Sequence, residues 1–185
     1  MPSDAGDLGQ ADLLPRIADG VVLRRLSPTD LAAFQAYRHD PVVGEYQGWS
    51  PLSDEEASAF LADMSAQRLL QPGTWSQIGI AQPDSPVLIG DIGLFLSADG
   101  QQAEIGFTLR RESRRRGIAT TAVQDAIELL FEETKIQRVI GITDARNQSS
   151  VRLLERVGMR KVETRGATFR DQPCIEYVYA VSRLA

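Results

Sequence analysis

Apolar and polar residues follow two spacings along this chain, one typical of helices and one typical of strands. Apolar positions three or four residues apart predict helices over residues 29–38, 53–69, 117–130 and 148–157. Apolar runs between turn residues predict strands over residues 21–26, 74–81, 86–97, 103–109, 138–142, 159–165 and 175–181. The sequence therefore predicts a mixed α/β fold.

The order of these elements predicts how the strands pair. Strands 74–81, 86–97 and 103–109 follow one another directly, which predicts antiparallel hairpins. Strands 103–109 and 138–142 are separated by a helix, which predicts a parallel pair. We expect a mostly antiparallel sheet with one central parallel pair and helices on both faces.

Short polar signals define the ends of several helices. Ser27 followed by Pro28 predicts a helix start, and Ser53 with Glu56 forms a capping box. Asp40-Pro41 predicts the end of the first helix, and Gly158 predicts a C-cap.

The chain divides into an arm and one domain. Residues 1–20 are rich in Asp, Gly and Ala, which predicts a loose N-terminal arm before a single domain of residues 21–185. Residues 42–51 have no clean period and predict a loop that carries Glu45, Tyr46 and Trp49. Aromatic residues in a loop line a binding site or close the edge of a core, and both alternatives stay open.

Composition excludes several classes of function. The net charge is −5 and the pI is about 5.0, which argues against general nucleic-acid binding. The sequence has no apolar run that could span a bilayer and no signal peptide, so we expect a cytoplasmic protein. With a single His, His39, and a single Cys, Cys174, we expect no metal site and a buried, inert thiol.

The candidate chemistry centres on Arg114-Arg115-Arg116-Gly117-Ile118-Ala119, between a strand and a long helix. Such a turn directs unpaired backbone N–H groups into one concavity at the positive end of the helix dipole. Gly117 has no Cβ, so an anion can approach the main chain closely. These residues predict a phosphate-binding loop, although an arginine-rich, solvated loop is an equal alternative.

A second motif lies one helix and one strand further along, at Asn147-Gln-Ser-Ser150 and Glu155-Arg-Val-Gly158-Met159. Together with Arg114-x-x-Gly117-x-Ala119 it resembles the GCN5-related N-acetyltransferase (GNAT) superfamily. Glu-Ile-Gly-Phe107 and Phe169-Arg-Asp171 look most like its ribosomal-protein acetyltransferase (RimJ/RimL-like) branch. The resemblance covers the chain from about Val21 to the C-terminus.

The resemblance implies acetyl-CoA as co-substrate, without a metal. It implies that strands 103–109 and 138–142 splay apart, with the pantetheine arm paired to the backbone of Phe107, Thr108 and Leu109. The pyrophosphate would lie on the amides of Arg115, Arg116, Gly117, Ile118 and Ala119, beside Arg114. Asn147 would hold the pantetheine from the other side, and an N–H near Phe107 would stabilise the oxyanion as an amine attacks.

Acetyl transfer to an amine leaves two proton transfers, one from the attacking amine and one to the departing thiolate. Many members of the family have a tyrosine acid where this chain has Leu154, so Ser150 is the substitute donor, with helix capping as its alternative role. Glu104 on the central strand is the leading candidate for the base, and Glu45 and Glu163 are reserves.

The acceptor stays open at this stage. A protein N-terminal amine would fit the resembled branch, and a small amine such as an aminoglycoside, a polyamine or an amino-acid derivative is the main rival. A non-catalytic acyl-CoA-binding module is a further alternative, favoured by the missing tyrosine. Members of the resembled branch are often dimers, and this chain offers exposed strand edges and an apolar C-terminal hairpin, so we expect a homodimer.

Overall fold

The computed structural model describes residues 12–183 and is built on one eight-stranded sheet. The strands are β1 (Arg16–Ala18), β2 (Val21–Arg25), β3 (Trp75–Gln82), β4 (Ser85–Leu96), β5 (Gln102–Leu109), β6 (Arg138–Asp144), β7 (Arg160–Phe169) and β8 (Gln172–Ser182). Their order in the sheet is β1-β2-β3-β4-β5-β6-β8-β7. The helices are α1 (Leu31–Arg38), α2 (Pro41–Gly44), α3 (Asp54–Ala66), α4 (Ile118–Glu133) and α5 (Gln148–Arg156). No helix in the described part of the chain is long and apolar enough to cross a membrane.

The central pair of strands is parallel, while its neighbours in the sheet are antiparallel. β5 and β6 pair only at Gln102↔Arg138, Ala103↔Val139 and Glu104↔Ile140. Beyond Glu104 the two strands separate, so the rest of β5 and the end of β6 enclose a gap. The predicted mixed α/β fold with one parallel pair is therefore confirmed.

Two hydrophobic clusters cover the sheet on its two faces. The larger cluster joins α4 and α5 to apolar residues of β2–β6, among them Ile78, Ile92, Leu94 and Ile105. The smaller cluster packs α1 and α3 over the other face through Phe34, Tyr37 and Leu61. Because side chains alternate between the faces of a strand, Glu104 and Gly106 lie on the face of the smaller cluster.

A buried polar cluster fixes the position of α1 on the sheet. Asp91 on β4 is fully buried and accepts hydrogen bonds from Tyr37, Arg38 and Gln77. Burial and the neighbouring Asp91 carboxylate raise the pKa of Tyr37 well above its ordinary value. Asp91 also lies opposite Thr108 in the pairing of β4 with β5, so this buried cluster stabilises the position of β5.

The structure differs from the predicted loose arm at its end. Residues 16–18 form a strand that pairs with β2, because Arg16 is held by Asp125 and Glu132 of α4 at 2.8 Å each. Residues 1–11 of the predicted arm lie outside the described residues. The division into an arm and one domain stays a prediction.

Two other segments are more regular than their sequence indicates. Residues 41–44 form a helical turn where a loop was predicted, because Asp40 accepts from the Val42 amide at 2.9 Å and Pro41 suits a first helical position. The last hairpin is longer than predicted, and its two-residue turn consists of Arg170 and Asp171 with φ of +50° and +60°. Without a glycine or asparagine, such a turn has a weak sequence signal.

Candidate functional site

A cavity of about 280 Å³ lies where β5 and β6 separate. Its walls come from β5 at Glu104, Gly106 and Phe107, from the end of β6 and from the start of α5. The loop of residues 46–48 and the β7–β8 hairpin also line the cavity. The structure thus brings together five of the predicted site residues, namely Tyr46, Glu104, Phe107, Asn147 and Ser150.

The edge of β5 presents backbone groups to this gap. The Arg110 amide donates to the Ile89 carbonyl at 2.9 Å, and groups that face a partner strand occur at alternate residues of an antiparallel pair. Even-numbered residues of β5 therefore face β4, and the amides of Phe107 and Leu109 face the gap. A ligand with amide groups can pair with this edge as an added strand would.

Two side chains already bond to carbonyls on this edge. The side-chain amide of Gln47 donates to the Phe107 carbonyl at 3.2 Å. The Nε of Arg114 donates to the Leu109 carbonyl at 3.2 Å, and burial lowers the pKa of Arg114. Arg114 therefore shapes the loop from inside, whereas Arg115 and Arg116 are exposed.

The arginine-rich loop ends in an open helix N-terminus. The Thr121 amide bonds to the Gly117 carbonyl at 3.0 Å and closes the first turn of α4, so the amides of Ile118, Ala119 and Thr120 have no partner within the helix. Gly117 has φ of +80°, and an added Cβ there would meet nothing within 4 Å. Arg115 also has a positive φ of +62°. This open concavity at the positive end of a helix dipole suits a phosphate group.

The N-terminus of α5 supplies the opposite wall. Asn147 is its N-cap, and its side chain accepts from the Ser150 amide at 3.2 Å. Helix capping, the alternative role predicted for Ser150, thus belongs to Asn147, and Ser150 is one of the residues that line the cavity. Leu154 is buried against β6, with its Cδ2 atom only 2.8 Å from the position of a Cβ on Gly141.

Glu104 is a half-buried carboxylate on the wall of the cavity. Burial raises its pKa, Arg165 acts in the opposite direction, and Glu176 adds to the increase. Glu176 is paired with Arg165 at 3.0 Å, and Asp144 is paired with Arg146 at 2.7 Å. Among residues 12–183, the Glu104 carboxylate has no hydrogen-bond or ion-pair partner.

The acceptor loop, residues 44–48, is tied to the last hairpin. Arg170 donates to the Gly44 carbonyl at 2.9 Å and to the Gln47 carbonyl at 3.5 Å. The Arg146 guanidinium lies 5.8 Å from the centre of the Tyr46 ring. The loop therefore spans the cavity from one side to the other.

Other predicted site residues lie elsewhere. The Arg38 guanidinium lies 4.4 Å from the centre of the Trp49 ring, within the smaller cluster. This packing favours the alternative in which Trp49 closes the edge of the core. Thr108 is buried behind the gap, and the side chains of Glu45 and Glu163 are exposed and do not line the cavity. Cys174 is buried, as predicted, but it also lines the cavity.

Sequence reasoning missed several polar residues around the cavity. Gln47 and Arg170 act through backbone carbonyls, which leaves no motif in the sequence. Asp144 carried a usable signal, because strict alternation along β6 places Ile140, Ile142 and Asp144 on the face of Glu104. Within residues 12–183, no group of three His, Cys, Asp or Glu side chains is arranged to hold a metal ion.

Known proteins share this sequence pattern and this fold. The family described as the acetyltransferase (GNAT) domain matches residues 21–160. An uncharacterized N-acetyltransferase, YoaA of Bacillus subtilis, is 28% identical over 145 residues, which cover 77% of this chain and 81% of YoaA.

Two solved structures show the same fold with low sequence identity. A ribosomal L7/L12 alpha-N-protein acetyltransferase in complex with coenzyme A matches with a TM-score of 0.78 and 16% identity, covering 90% of this chain and 96% of that one. Spermidine N-acetyltransferase from Vibrio cholerae, in complex with CoA and spermine, matches with a TM-score of 0.75 and 16% identity, covering 88% of this chain and 95% of that one.

Proposed function

This chain belongs to the GNAT family of acetyltransferases, and on that premise we propose that it transfers an acetyl group from acetyl-CoA to the N-terminal amine of a protein or peptide. The family makes the chain an acetyl-transferring enzyme. We also propose that the chain belongs to the ribosomal-protein acetyltransferase branch. The acceptor and the roles of individual residues given below are part of the same proposal.

The observation that carries the proposal is the continuity of two binding features. The open N-terminus of α4 suits a pyrophosphate, and the gap-facing amides of Phe107 and Leu109 suit an extended chain with amide groups. β5 ends only a few residues before this helix, so one long ligand can contact both features. Coenzyme A has this combination of a pyrophosphate and a pantetheine arm. The ribosomal-protein and spermidine acetyltransferases that share the fold have CoA in their structures.

The residues around the gap have distinct roles in this proposal. Acetyl-CoA supplies the activated acetyl group as a thioester. The Phe107 N–H faces the gap and is a donor for a carbonyl oxygen held there. Glu104 accepts a proton from the amine, directly or through water, and its raised pKa brings it closer to neutral pH. The Ser150 hydroxyl, on the opposite wall, donates to the departing sulfur.

The acceptor assignment rests on the shape of the site. The cavity is lined by Glu104 and by the β7–β8 hairpin, whose strand β7 is largely exposed, so a polymer that presents its terminus at Glu104 can extend along this hairpin. The fold alone does not decide, since its relatives include a ribosomal-protein acetyltransferase and a spermidine acetyltransferase. A small amine is therefore the rival acceptor.

A thiol-release assay with acetyl-CoA and a panel of amines tests the proposal. We expect free thiol only when both substrates are present, with peptide N-termini as better acceptors than spermidine or an aminoglycoside. Binding of acetyl-CoA without turnover on any amine would instead support a non-catalytic acyl-CoA-binding module.

Two features stay predictions from the sequence. A cytoplasmic location agrees with the composition, and a homodimer agrees with the exposed edge strand β7. Light scattering at micromolar concentration checks the homodimer, and a fully active monomer would contradict it.

A further inference from the structure

A row of side chains crosses the sheet through Glu104. Trp75 on β3 pairs with Phe95 on β4, Phe95 pairs with Glu104, and Glu104 pairs with Ile140 on β6. Register partners point to the same face of a sheet. Phe95 and Ile140 therefore flank the carboxylate that we propose as the base, and Trp75 lies beyond Phe95 in the same row.

This row is open to solvent. Trp75 is 45% exposed, and Phe95, Glu104 and Ile140 are all partly exposed. The Trp75 and Phe95 rings lie 5.4 Å apart and are tilted at 40°, so they form one aromatic surface. Neither ring belongs to the two hydrophobic clusters, and an apolar patch that is open to solvent can serve as a surface for ligand contact.

Two paired glycines, Gly93 and Gly106, lie between this aromatic surface and the cavity. The Trp75 indole and the Gln77 side chain both lie over Gly93, each 3.1 Å from the position of a Cβ on that residue. Gly93 pairs with Gly106, which lines the cavity and where an added Cβ would meet nothing within 4 Å. A ligand group can therefore extend from the cavity across Gly106 as far as the edges of the indole and of Gln77, since residue 106 has no side chain in its way.

The charges around the cavity favour one cationic group in the acceptor. Asp144 and Glu176 are neutralised by Arg146 and Arg165 at 2.7 and 3.0 Å. In the described part of the chain, Glu104 lacks such a partner. One unpaired carboxylate between apolar side chains suits a single ammonium group next to an apolar group. A polyamine carries several ammonium groups and would need more unpaired carboxylates.

We infer that the acceptor is a peptide N-terminus whose first residue carries a large apolar side chain, and that this side chain lies on Trp75 and Phe95. The inference rests on the proposed function and specifies its substrate class. The α-amine then lies at Glu104. The rest of the peptide leaves along the same face, where the row continues through Ala180 of β8 to Arg160 at the edge of the sheet.

Acetylation of two peptides that differ only in their first residue, Phe or Ser, tests this inference. We expect kcat/KM for the Phe peptide to exceed that for the Ser peptide by about tenfold or more, the scale expected from burying an aromatic side chain. Trp75→Ala should remove about tenfold for the Phe peptide and less than about twofold for the Ser peptide, and Trp75→Phe should restore most of the loss. Val87→Ala, which truncates another exposed apolar residue, is the matched control and should change neither value.

Several outcomes would overturn the inference. An equal loss on both peptides in Trp75→Ala would mean that Trp75 does not contact the first side chain. A preference for spermidine as acceptor would overturn the argument from the charges around the cavity. Phenylethylamine acetylated with the same kcat/KM as the Phe peptide would overturn the assignment of a peptide as acceptor. In these cases thiol release still occurs, so acetyl transfer from acetyl-CoA stands, although a preference for spermidine would also overturn the peptide acceptor of the proposed function. No thiol release with any acceptor would overturn the proposed function, and the inference with it.

Discussion

The side-chain amide of Gln47 donates a hydrogen bond to the backbone carbonyl of Phe107 at 3.2 Å. This bond connects the acceptor loop to the edge of β5 that we propose for the pantetheine arm. The backbone carbonyl of Gln47 in turn accepts a hydrogen bond from Arg170 of the last hairpin. One residue of the loop thus contacts both sides of the cavity, and the position of the loop depends on both contacts.

Removal of the Arg170 side chain should weaken binding of the acceptor. Arg170→Ala removes the donors to the Gly44 and Gln47 carbonyls, so we expect KM for the acceptor to rise about three- to tenfold, which corresponds to about 0.7–1.4 kcal/mol, the net scale of one hydrogen bond. The affinity for acetyl-CoA should change much less. Steady-state kinetics and calorimetry measure the two effects, with Arg152→Ala on the exposed side of α5 as control. An unchanged acceptor KM would show that the hairpin does not hold the loop.

A side chain at position 117 should weaken binding of acetyl-CoA. Gly117→Val places a β-branched residue at a φ of +80° where phosphate oxygens approach the backbone, so we expect a loss of at least ~1.4 kcal/mol, about tenfold in affinity. Gly100→Val is a matched control, because Gly100 has a φ of +66° with open space around it, in the turn before β5 and thus at the opposite end of this strand from the arginine-rich loop. Calorimetry on both folded variants separates backbone strain from ligand contact. Equal affinities in the two variants would contradict the phosphate site.

The hydroxyl of Ser150 should matter for turnover more than for binding. If it donates to the departing sulfur, Ser150→Ala should lower kcat by roughly 10²-fold with little change in the KM for acetyl-CoA. The helix should persist, because Asn147 provides its cap. Ser149→Ala, at an exposed neighbouring position, is the control. A kcat within about twofold of the wild-type value would exclude Ser150 as the acid.

The role of Glu104 should be visible in the pH dependence of acetyl transfer. Burial raises the pKa of this carboxyl, so its deprotonated, basic form is reached at higher pH than for an ordinary glutamate. Activity of the wild type should therefore fall as the pH drops through this raised pKa. Glu104→Gln should lower kcat/KM most at acidic to neutral pH and least at alkaline pH, where the free amine is abundant.

Rate profiles of the wild type, Glu104→Gln and the exposed control Glu163→Gln provide the comparison. Parallel profiles for the wild type and Glu104→Gln would exclude Glu104 as the base. If Ser150→Ala also keeps its kcat, the enzyme acts mainly by aligning its two substrates.

Much of the fold could be predicted because its signals are local. Ser53 and Glu56 form the predicted capping box, with hydrogen bonds of 3.2 and 2.8 Å, and Gly158 ends α5 with a φ of +87°. The helix between β5 and β6 required a parallel pair. The local pattern failed at Asp40-Pro41, because the dipeptide that ends α1 also begins α2.

The candidate site was less predictable because its contacts are distant along the chain. Arg170 bonds to a carbonyl of residue 44, and Trp75 shares a row with Glu104 only because of the register of three strands. Trp49 illustrates the opposite problem, since an aromatic residue in a loop looks the same in sequence whether it faces a ligand or Arg38. Register and packing decide these positions, and neither is encoded in a short motif.

The packing of Leu154 on Gly141 links two positions that lie on different elements. The Cδ2 atom of Leu154 lies 2.8 Å from the position that a Cβ would take on residue 141. An alanine at position 141 would therefore displace the Leu154 side chain. Among homologues we expect these positions to covary, with a bulky residue at 154 only where 141 is glycine. An engineered Leu154→Tyr variant therefore has to be made on the glycine background, where its larger ring must find room toward the cavity.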